Sequence, residues 1–72
     1  MTINEPLQDR FLEELHRSKT QVTVFLMNGF QIRGTVLGYD NFVLTLLSDG
    51  KQNMIYKHAV STITPFSPLR LT

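Results

Sequence analysis

The amino-acid sequence predicts a mostly β protein: one N-terminal helix, then five antiparallel strands that form a strongly bent sheet, a small open barrel. Apolar residues change from helical spacing to a period of two at Gln21. Tight-turn signals at Asn28-Gly29 and Asp49-Gly50 separate apolar segments. Gly34 and Gly38 interrupt one of the expected strands and permit the sharp bend that a small curled sheet needs.

The helix is expected over about residues 7–18. Its apolar stripe follows from four residues at helical spacing, Leu7, Phe11, Leu12 and Leu15. Pro6 is tolerated at a helix start, and either Asn4 or Glu5 can cap it.

The five strands are expected in a meander over residues 21–26, 30–39, 42–47, 52–56 and 60–64. Pro65 and Pro68 are expected to end regular pairing, because proline cannot donate a backbone hydrogen bond. Residues 66–72 form a short tail. We therefore expect a single domain over residues 1–72.

Chain length and composition favour self-association. A chain of 72 residues buries only about 60% of its unfolded surface, and without cysteine it has no disulfide to stabilise it. An open barrel also has two unpaired strand edges, which invite pairing with another chain. If the fourth strand of one copy pairs with the fifth strand of the next, the contact is head-to-tail and can close into a ring.

The sequence also predicts where the protein acts. No signal peptide is visible in residues 1–6, and no apolar stretch approaches the ~20 residues that span a bilayer. We expect a cytoplasmic protein without a membrane partner. The net charge of +1 excludes a general polyanion-binding surface, so any nucleic-acid site depends on a few well-placed charges.

No residue pattern predicts an enzyme, a metal site or a cofactor. There is no cysteine nucleophile, and His16 and His58 are too far apart for a local ligand motif. Asp9, Asp40 and Asp49 all occur where helix starts and turns favour aspartate. We expect a non-catalytic protein with no metal and no cofactor.

The tripeptide Tyr56-Lys57-His58 combines an aromatic ring, a cation and a titratable donor at the end of a strand. In a single copy it is most simply a surface turn with one buried tyrosine. In a ring, the same turn from every copy would surround the axis and concentrate positive potential for RNA. Phe42 is either a core residue or an exposed partner for base stacking.

Two further groups contain aromatic or basic residues. The first flanks the first hairpin. Phe25 is expected on the face opposite Val22, Val24 and Leu26, and Gln31 and Arg33 are expected to face away from Ile32; ordinary hairpin packing explains this group equally well. It comprises Phe25, Phe30, Gln31, Ile32 and Arg33. The second, His16, Arg17 and Lys19 at the helix end, is more simply a solvated face that suits the helix dipole.

At the residues described above, the sequence resembles the Hfq family of bacterial Sm-like RNA chaperones. The resemblance extends from Leu7-Gln8-Asp9 to about Pro65. Matching segments are Val24-Phe25-Leu26-Met27-Asn28-Gly29-Phe30, Gly34, Asp40-Asn41-Phe42 and Tyr56-Lys57-His58-Ala59-Val60-Ser61-Thr62. The resemblance implies an Sm-like fold, a homohexameric ring and two faces that bind single-stranded RNA. The Phe30-Gln31 pair resembles Gram-positive versions and implies a tract that alternates adenine with any nucleotide.

The resemblance also implies roles for individual residues. The proximal set, on the helix-bearing face, would bind uridine-rich RNA and comprises Gln8, Asn41, Phe42, Tyr56, Lys57 and His58. The distal set, on the opposite face, would bind adenine-rich RNA and comprises Phe25, Asn28, Gly29, Phe30, Gln31, Ile32, Arg33 and Thr62.

Three positions depart from the family pattern. The rim set His16, Arg17 and Lys19 stands where well-studied members have an arginine cluster. Asn53 replaces a glutamine that many members have. Because the sequence ends soon after the fifth strand, we expect no long C-terminal tail.

Two functions from different classes remain open. The first is an RNA chaperone that pairs small regulatory RNAs with mRNA. The second is a small β-barrel module that binds proteins and has no RNA function. No constellation of residues supports a hydrolase.

Overall fold

The computed structural model describes residues 7–69. They form α1 (Leu7–Ser18), β1 (Gln21–Leu26), β2 (Gln31–Tyr39), β3 (Val43–Ser48), β4 (Lys51–Tyr56), a 3₁₀ turn (Lys57–Ala59) and β5 (Val60–Pro65). The predicted helix and five strands are confirmed, with bounds that differ by one residue or less. The predicted cap at Asn4 or Glu5, the proline at Pro6 and the last tail residues, 70–72, lie outside the described residues.

The helix ends through local hydrogen bonding and backbone geometry. Ser18 Oγ donates to the Glu14 carbonyl oxygen at 2.8 Å. Lys19 has a φ of 54°, in the left-handed region that commonly terminates helices. The chain therefore turns directly from α1 into β1.

All strand pairs are antiparallel, but the strand order is β4-β3-β2-β1-β5. The predicted meander is therefore wrong for β5, which pairs with β1. The 3₁₀ turn carries the chain across the sheet, and its Ala59 carbonyl oxygen accepts from the Met27 backbone N–H at 2.8 Å. Within the described residues, β4 and β5 are the terminal strands, each with one unpaired edge.

Pro65 also differs from the prediction, because it lies within β5 opposite Val22. Pairing continues past it, since Phe66 N–H donates to the Gln21 carbonyl oxygen at 2.9 Å. An edge strand tolerates proline where the ring nitrogen points away from the neighbouring strand.

One apolar core lies between α1 and the concave face of the sheet. Its buried residues come from α1 and four strands: Leu12, Leu15, Val22, Val24, Val36, Leu44, Leu46 and Ile55. Thr23 alternates with the core residues of β1, yet it is only 9% exposed. Arg33 on β2 and Thr64 on β5 flank it from both sides, because β1 is an interior strand.

The sheet bends along β2, as its two glycines predict. The β2–β3 register shifts between Val36 and Gly38, which marks a bulge. At Gly34 the strands approach so closely that a Cβ would overlap the Leu47 carbonyl oxygen and lie 2.9 Å from its carbonyl carbon. A side chain at position 34 would therefore push the two strands apart.

We expect Gly34→Ala to destabilise the fold by about 1–3 kcal/mol, because the added methyl group overpacks against backbone. Gly38→Ala is the matched control: its Cβ would lie 3.5 Å from Thr45 Oγ1, an ordinary contact. Its effect should stay below about 1 kcal/mol. Urea unfolding at one fixed protein concentration measures both. Equal losses in the two variants would contradict this account of the bend.

Candidate nucleic-acid interface

The turn between β2 and β3 holds Phe42 outside the core. Asp40 Oδ1 accepts hydrogen bonds from the backbone N–H groups of Phe42 at 2.8 Å and Val43 at 2.9 Å. The Asp40 N–H donates to the Val43 carbonyl oxygen at 2.9 Å. Phe42 is 74% exposed, and the neighbouring Asn41 is exposed too. Of the two roles open to Phe42, the structure supports the exposed one.

These contacts keep the Asp40 carboxylate ionised. The N–H donations from Phe42 and then Val43 lower the pKa of Asp40 below its ordinary value of 3.8, and the charge of Lys57 lowers the pKa slightly further. Slight desolvation opposes them. The turn is therefore most ordered when this carboxyl group carries its charge.

The end of β4 presents a pair of rings. Tyr56 and His58 stack with centroids 5.6 Å apart and planes inclined by 23°. Tyr56 is 53% exposed, so the prediction of a surface turn with one buried tyrosine is wrong. The two rings lie on either side of Lys57 in sequence, and both are open to solvent.

Lys57 points inward instead. Its side chain is 13% exposed, and Nζ lies 4.0 Å from Asp9 Oδ1 on α1. The ammonium group also lies 5.7 Å from the ring centroid of Tyr39, whose hydroxyl group donates to Glu13 at 2.7 Å. Lys57 Nζ is shielded from solvent and has no hydrogen-bond partner within residues 7–69. It is a charged donor with unfilled hydrogen-bonding capacity.

The proximal set is brought together around this lysine. The Lys57 backbone N–H donates to the Phe42 carbonyl oxygen at 2.8 Å, which joins the two turns. Lys57 and Gln8 both line a cavity of about 260 Å³ beside α1, with Leu44 among its apolar residues. Aromatic rings, an amide and an ammonium group thus lie at one end of the molecule.

The β1–β2 turn also holds an exposed phenylalanine. Asn28 Oδ1 accepts from the Phe30 backbone N–H at 3.0 Å, and Gly29 has a φ of +93°. Phe30 is 68% exposed. The predicted hairpin turn is confirmed.

The remaining distal set divides between the two sides of the sheet. Gln31, Phe25 and Thr62 lie opposite one another across β2, β1 and β5. Ile32 belongs to the neighbouring row and packs against the core. As predicted, Ile32 and Gln31 have opposite orientations, so Ile32 supports this surface from beneath.

A sequence model described as "Hfq protein" matches residues 7–70. The chain belongs to the Hfq family. It is 60% identical over 65 residues to "RNA-binding protein Hfq" of Moorella thermoacetica, covering 90% of this chain and 77% of that protein. It is 54% identical over 65 residues to the protein of the same name from Bacillus subtilis, and the match covers 90% of this chain and 89% of that protein. The predicted resemblance to Gram-positive Hfq proteins is confirmed.

Solved structures agree with the fold. A crystal structure of "the pleiotropic translational regulator, Hfq" has a TM-score of 0.81 and 51% identity, covering 82% of this chain and 98% of that one. The crystal structure of an Hfq protein from Anabaena has a TM-score of 0.75 and 29% identity, and the match covers 81% of this chain and 93% of that one. The predicted Sm-like fold is confirmed.

The positions that depart from the Hfq family pattern have their own contacts. Arg17 binds Glu14 through two hydrogen bonds, Nε to Oε1 at 3.2 Å and Nη2 to Oε2 at 2.5 Å, which offsets its charge. His16 and Lys19 are exposed. Asn53 Nδ2 donates to the Lys51 carbonyl oxygen at 3.3 Å.

Sequence reasoning missed three residues that shape the interface of this Hfq-family chain. The sequence predicts a helix start at Asp9 and a turn at Asp40, which is correct, but both also lie near the Lys57 charge. No sequence signal marks Tyr39, because its position beneath Lys57 depends on the bent sheet.

Across residues 7–69, no three His, Asp or Glu side chains are grouped for metal binding. In the same part of the chain, α1 has only 12 residues and is too short to span a bilayer.

We expect the charge of Asp40 to stabilise the turn in a pH-dependent way. Because the folded pKa lies below 3.8, this stabilisation is complete above that pH and is lost as the pH falls through the folded value. Asp40→Asn keeps an acceptor oxygen without the charge. The variant should be less stable than wild type at pH 7, and the difference should vanish in acid. Unfolding measured between pH 7 and about 2.5 tests this; a difference independent of pH would contradict it.

Proposed function

We propose that this chain is an RNA chaperone whose proximal set binds uridine-rich single-stranded RNA and whose distal set binds adenine-rich RNA. One observation carries the proposal. Two exposed phenylalanines, Phe30 and Phe42, flank the nine-residue β2 at opposite ends, each in a hydrogen-bonded turn. The curated relatives named "RNA-binding protein Hfq" support the ligand class.

At the proximal set, stacking and hydrogen bonding act together. Phe42 stacks a base, which contributes about 1–3 kcal/mol per base in single-strand binders. Gln8 and Lys57, which share one cavity, contact base edges, and His58 contacts the ribose or phosphate. Lys57 Nζ has no hydrogen-bond partner within residues 7–69, which favours this role, because an acceptor that reaches it restores its hydrogen bonds.

At the distal set, a shallow polar and aromatic surface receives the second RNA. Phe30 and Phe25 supply stacking surfaces, and Gln31 and Thr62 flank Phe25 on the neighbouring strands. Arg33, two residues beyond Gln31 on β2, is exposed and can pair with phosphate. Asn28 and Gly29 shape the turn that presents Phe30.

The proposal includes a homohexameric ring. The unpaired edges of β4 and β5 lie at opposite ends of the strand order, so pairing between copies is head-to-tail and repeats around an axis. A ring would repeat each weak RNA contact around the axis, which compensates for a net charge of only +1 per chain.

Holding a small regulatory RNA on one face and an mRNA on the other raises the effective concentration of each for pairing with the other. Of the rim residues His16, Arg17 and Lys19, Arg17 contributes little, since it is paired with Glu14.

The ring predicts a mass in solution well above that of one 8.3-kDa chain. Light scattering should give about 50 kDa for six copies, independent of concentration over the micromolar range. A stable 8.3-kDa species would instead favour a protein-binding module, the more so if its RNA affinity were negligible at low salt.

The two sites should be separable by mutation. Phe42→Ala should weaken oligo(U) binding by at least roughly 5- to 150-fold, the equivalent of one lost stack, because the variant removes the ring from every copy; oligo(A) binding should be unchanged. Phe30→Ala should do the reverse and serves as the matched control, since it removes the same exposed ring. Fluorescence anisotropy with labelled oligomers measures both. If each variant lost both ligands equally, the two-site assignment would be wrong.

A further inference from the structure

Phe66 is a further exposed aromatic residue, and it lies on the outer face of the sheet. Its backbone N–H donates to the Gln21 carbonyl oxygen at 2.9 Å, so it continues the pairing of β5 with β1 beyond Pro65. Pro65 lies opposite the buried Val22, and successive side chains of a strand point to opposite faces. Phe66 therefore shares the outer face with Thr64, and it is 59% exposed.

The chain is fixed on both sides of this ring. The hydrogen bond to Gln21 holds the backbone at Phe66 itself. Further along the chain, Leu69 is partly buried and packs against the core. Phe66 is therefore not on a free end: the backbone that turns Leu69 inward keeps the phenylalanine ring at the surface.

Residues of the distal set lie in the neighbouring rows of the outer face. One row contains Phe25 and Thr62, and the next row toward Phe66 contains Arg33, which is exposed. Arg33 forms no salt bridge within residues 7–69. Its guanidinium group thus lies between the rows of two aromatic rings, without a carboxylate partner in that part of the chain.

We infer that Phe66 is a further stacking residue for RNA, which extends the distal set outward and receives a base of the same strand whose phosphate pairs with Arg33. The inference rests on the proposed function of the distal set. The strand register places the Cα atoms of Phe25 and Phe66 about 14 Å apart, four residues along the strand and one strand across. Consecutive stacked bases are only about 3.4 Å apart, so the two rings hold bases that are not stacked on each other.

The chemistry of the ring determines what it adds. Phenylalanine has no donor or acceptor in its side chain, and stacking tolerates every base because every base has a π-face. Phe66 therefore raises affinity for the strand without selecting adenine. Selection of adenine falls to neighbouring polar side chains such as Gln31 and Thr62.

The outer face of β5 stays open in the proposed ring. Pairing between copies uses the backbone groups at the strand edge, and it leaves both faces of the strand uncovered. A neighbouring copy that covered Phe66 instead would make the ring an assembly contact. That arrangement predicts a loss of mass in solution when the aromatic ring is removed.

The test uses Phe66→Leu, which removes the aromatic ring and keeps an apolar side chain. Phe66→Tyr is the matched control, because it keeps the ring. The probes are oligo(A) and oligo(U) of equal length. Fluorescence anisotropy at several salt concentrations measures affinity, and light scattering measures the mass of each variant.

Phe66→Leu should weaken oligo(A) binding at least about fivefold, the low end of one lost stack, and leave oligo(U) binding unchanged. The slope of log affinity against log salt should keep its wild-type value, because a lost stack releases no counterions. Arg33→Gln should instead reduce that slope by about 0.7 for each phosphate contact that it removes. Phe66→Tyr should bind both oligomers like wild type.

The outcomes separate this inference from the proposed function. If Phe30→Ala leaves oligo(A) affinity unchanged, the distal set is not an adenine site and the proposed function fails. If Phe30→Ala weakens oligo(A) binding but Phe66→Leu binds like Phe66→Tyr, only the role of Phe66 is refuted. A mass below that of wild type for Phe66→Leu alone would also overturn the inference, since Phe66 would then pack against a neighbouring copy.

Two further variants complete the test. Phe66→Ile also removes the aromatic ring and keeps an apolar side chain, and it must reproduce the loss of oligo(A) affinity if Phe66→Leu folds poorly. An unchanged salt slope in Arg33→Gln would refute the phosphate contact, and with it the strand path from Phe25 to Phe66.

Discussion

The close approach of β2 and β3 at Gly34 is the constraint on which the rest of the structure depends. Because Gly34 has no side chain, β2 can approach the Leu47 carbonyl group of β3 closely before the bulge near Gly38 redirects β2. The bend brings the end of β2 beneath α1, where Tyr39 binds Glu13. Without it, Lys57 would have neither an aromatic ring beneath it nor a helix beside it.

The exposed Phe30 and Phe42 depend on the same type of turn. Asn28 Oδ1 accepts from the N–H of Phe30, and Asp40 Oδ1 accepts from the N–H of Phe42, in each case two residues along the chain. Such Asx turns satisfy a backbone donor at the surface, so the following aromatic side chain need not be buried to order the turn. The backbone at each phenylalanine is therefore ordered by a hydrogen bond rather than by packing of the ring in the core.

Local patterns determine most of the fold but not its long-range choices. Asn28-Gly29 and the glycines of β2 act within a few residues, so the hairpin and the bend could be predicted. The partner of β5 could not, because its alternating sequence suits β4 and β1 equally well. The Lys57–Ala59 turn decides between them in three dimensions. For the same reason the sequence could not distinguish an exposed Phe42 from a buried one, or reveal that Lys57 points inward.

The charge distribution constrains how such a chain can bind RNA. In other nucleic-acid-binding proteins, most of the affinity comes from neutralising phosphates, which needs Lys and Arg side chains that are not already paired within the protein. Here Arg17 is paired with Glu14 and Lys57 lies beside Asp9, so at least two of the seven Lys and Arg residues are already compensated within one subunit. Stacking and hydrogen bonds to bases do not need that surplus, but each contact is weak. In the proposed ring, affinity grows with the number of copies that engage one strand, and selectivity comes from the bases themselves.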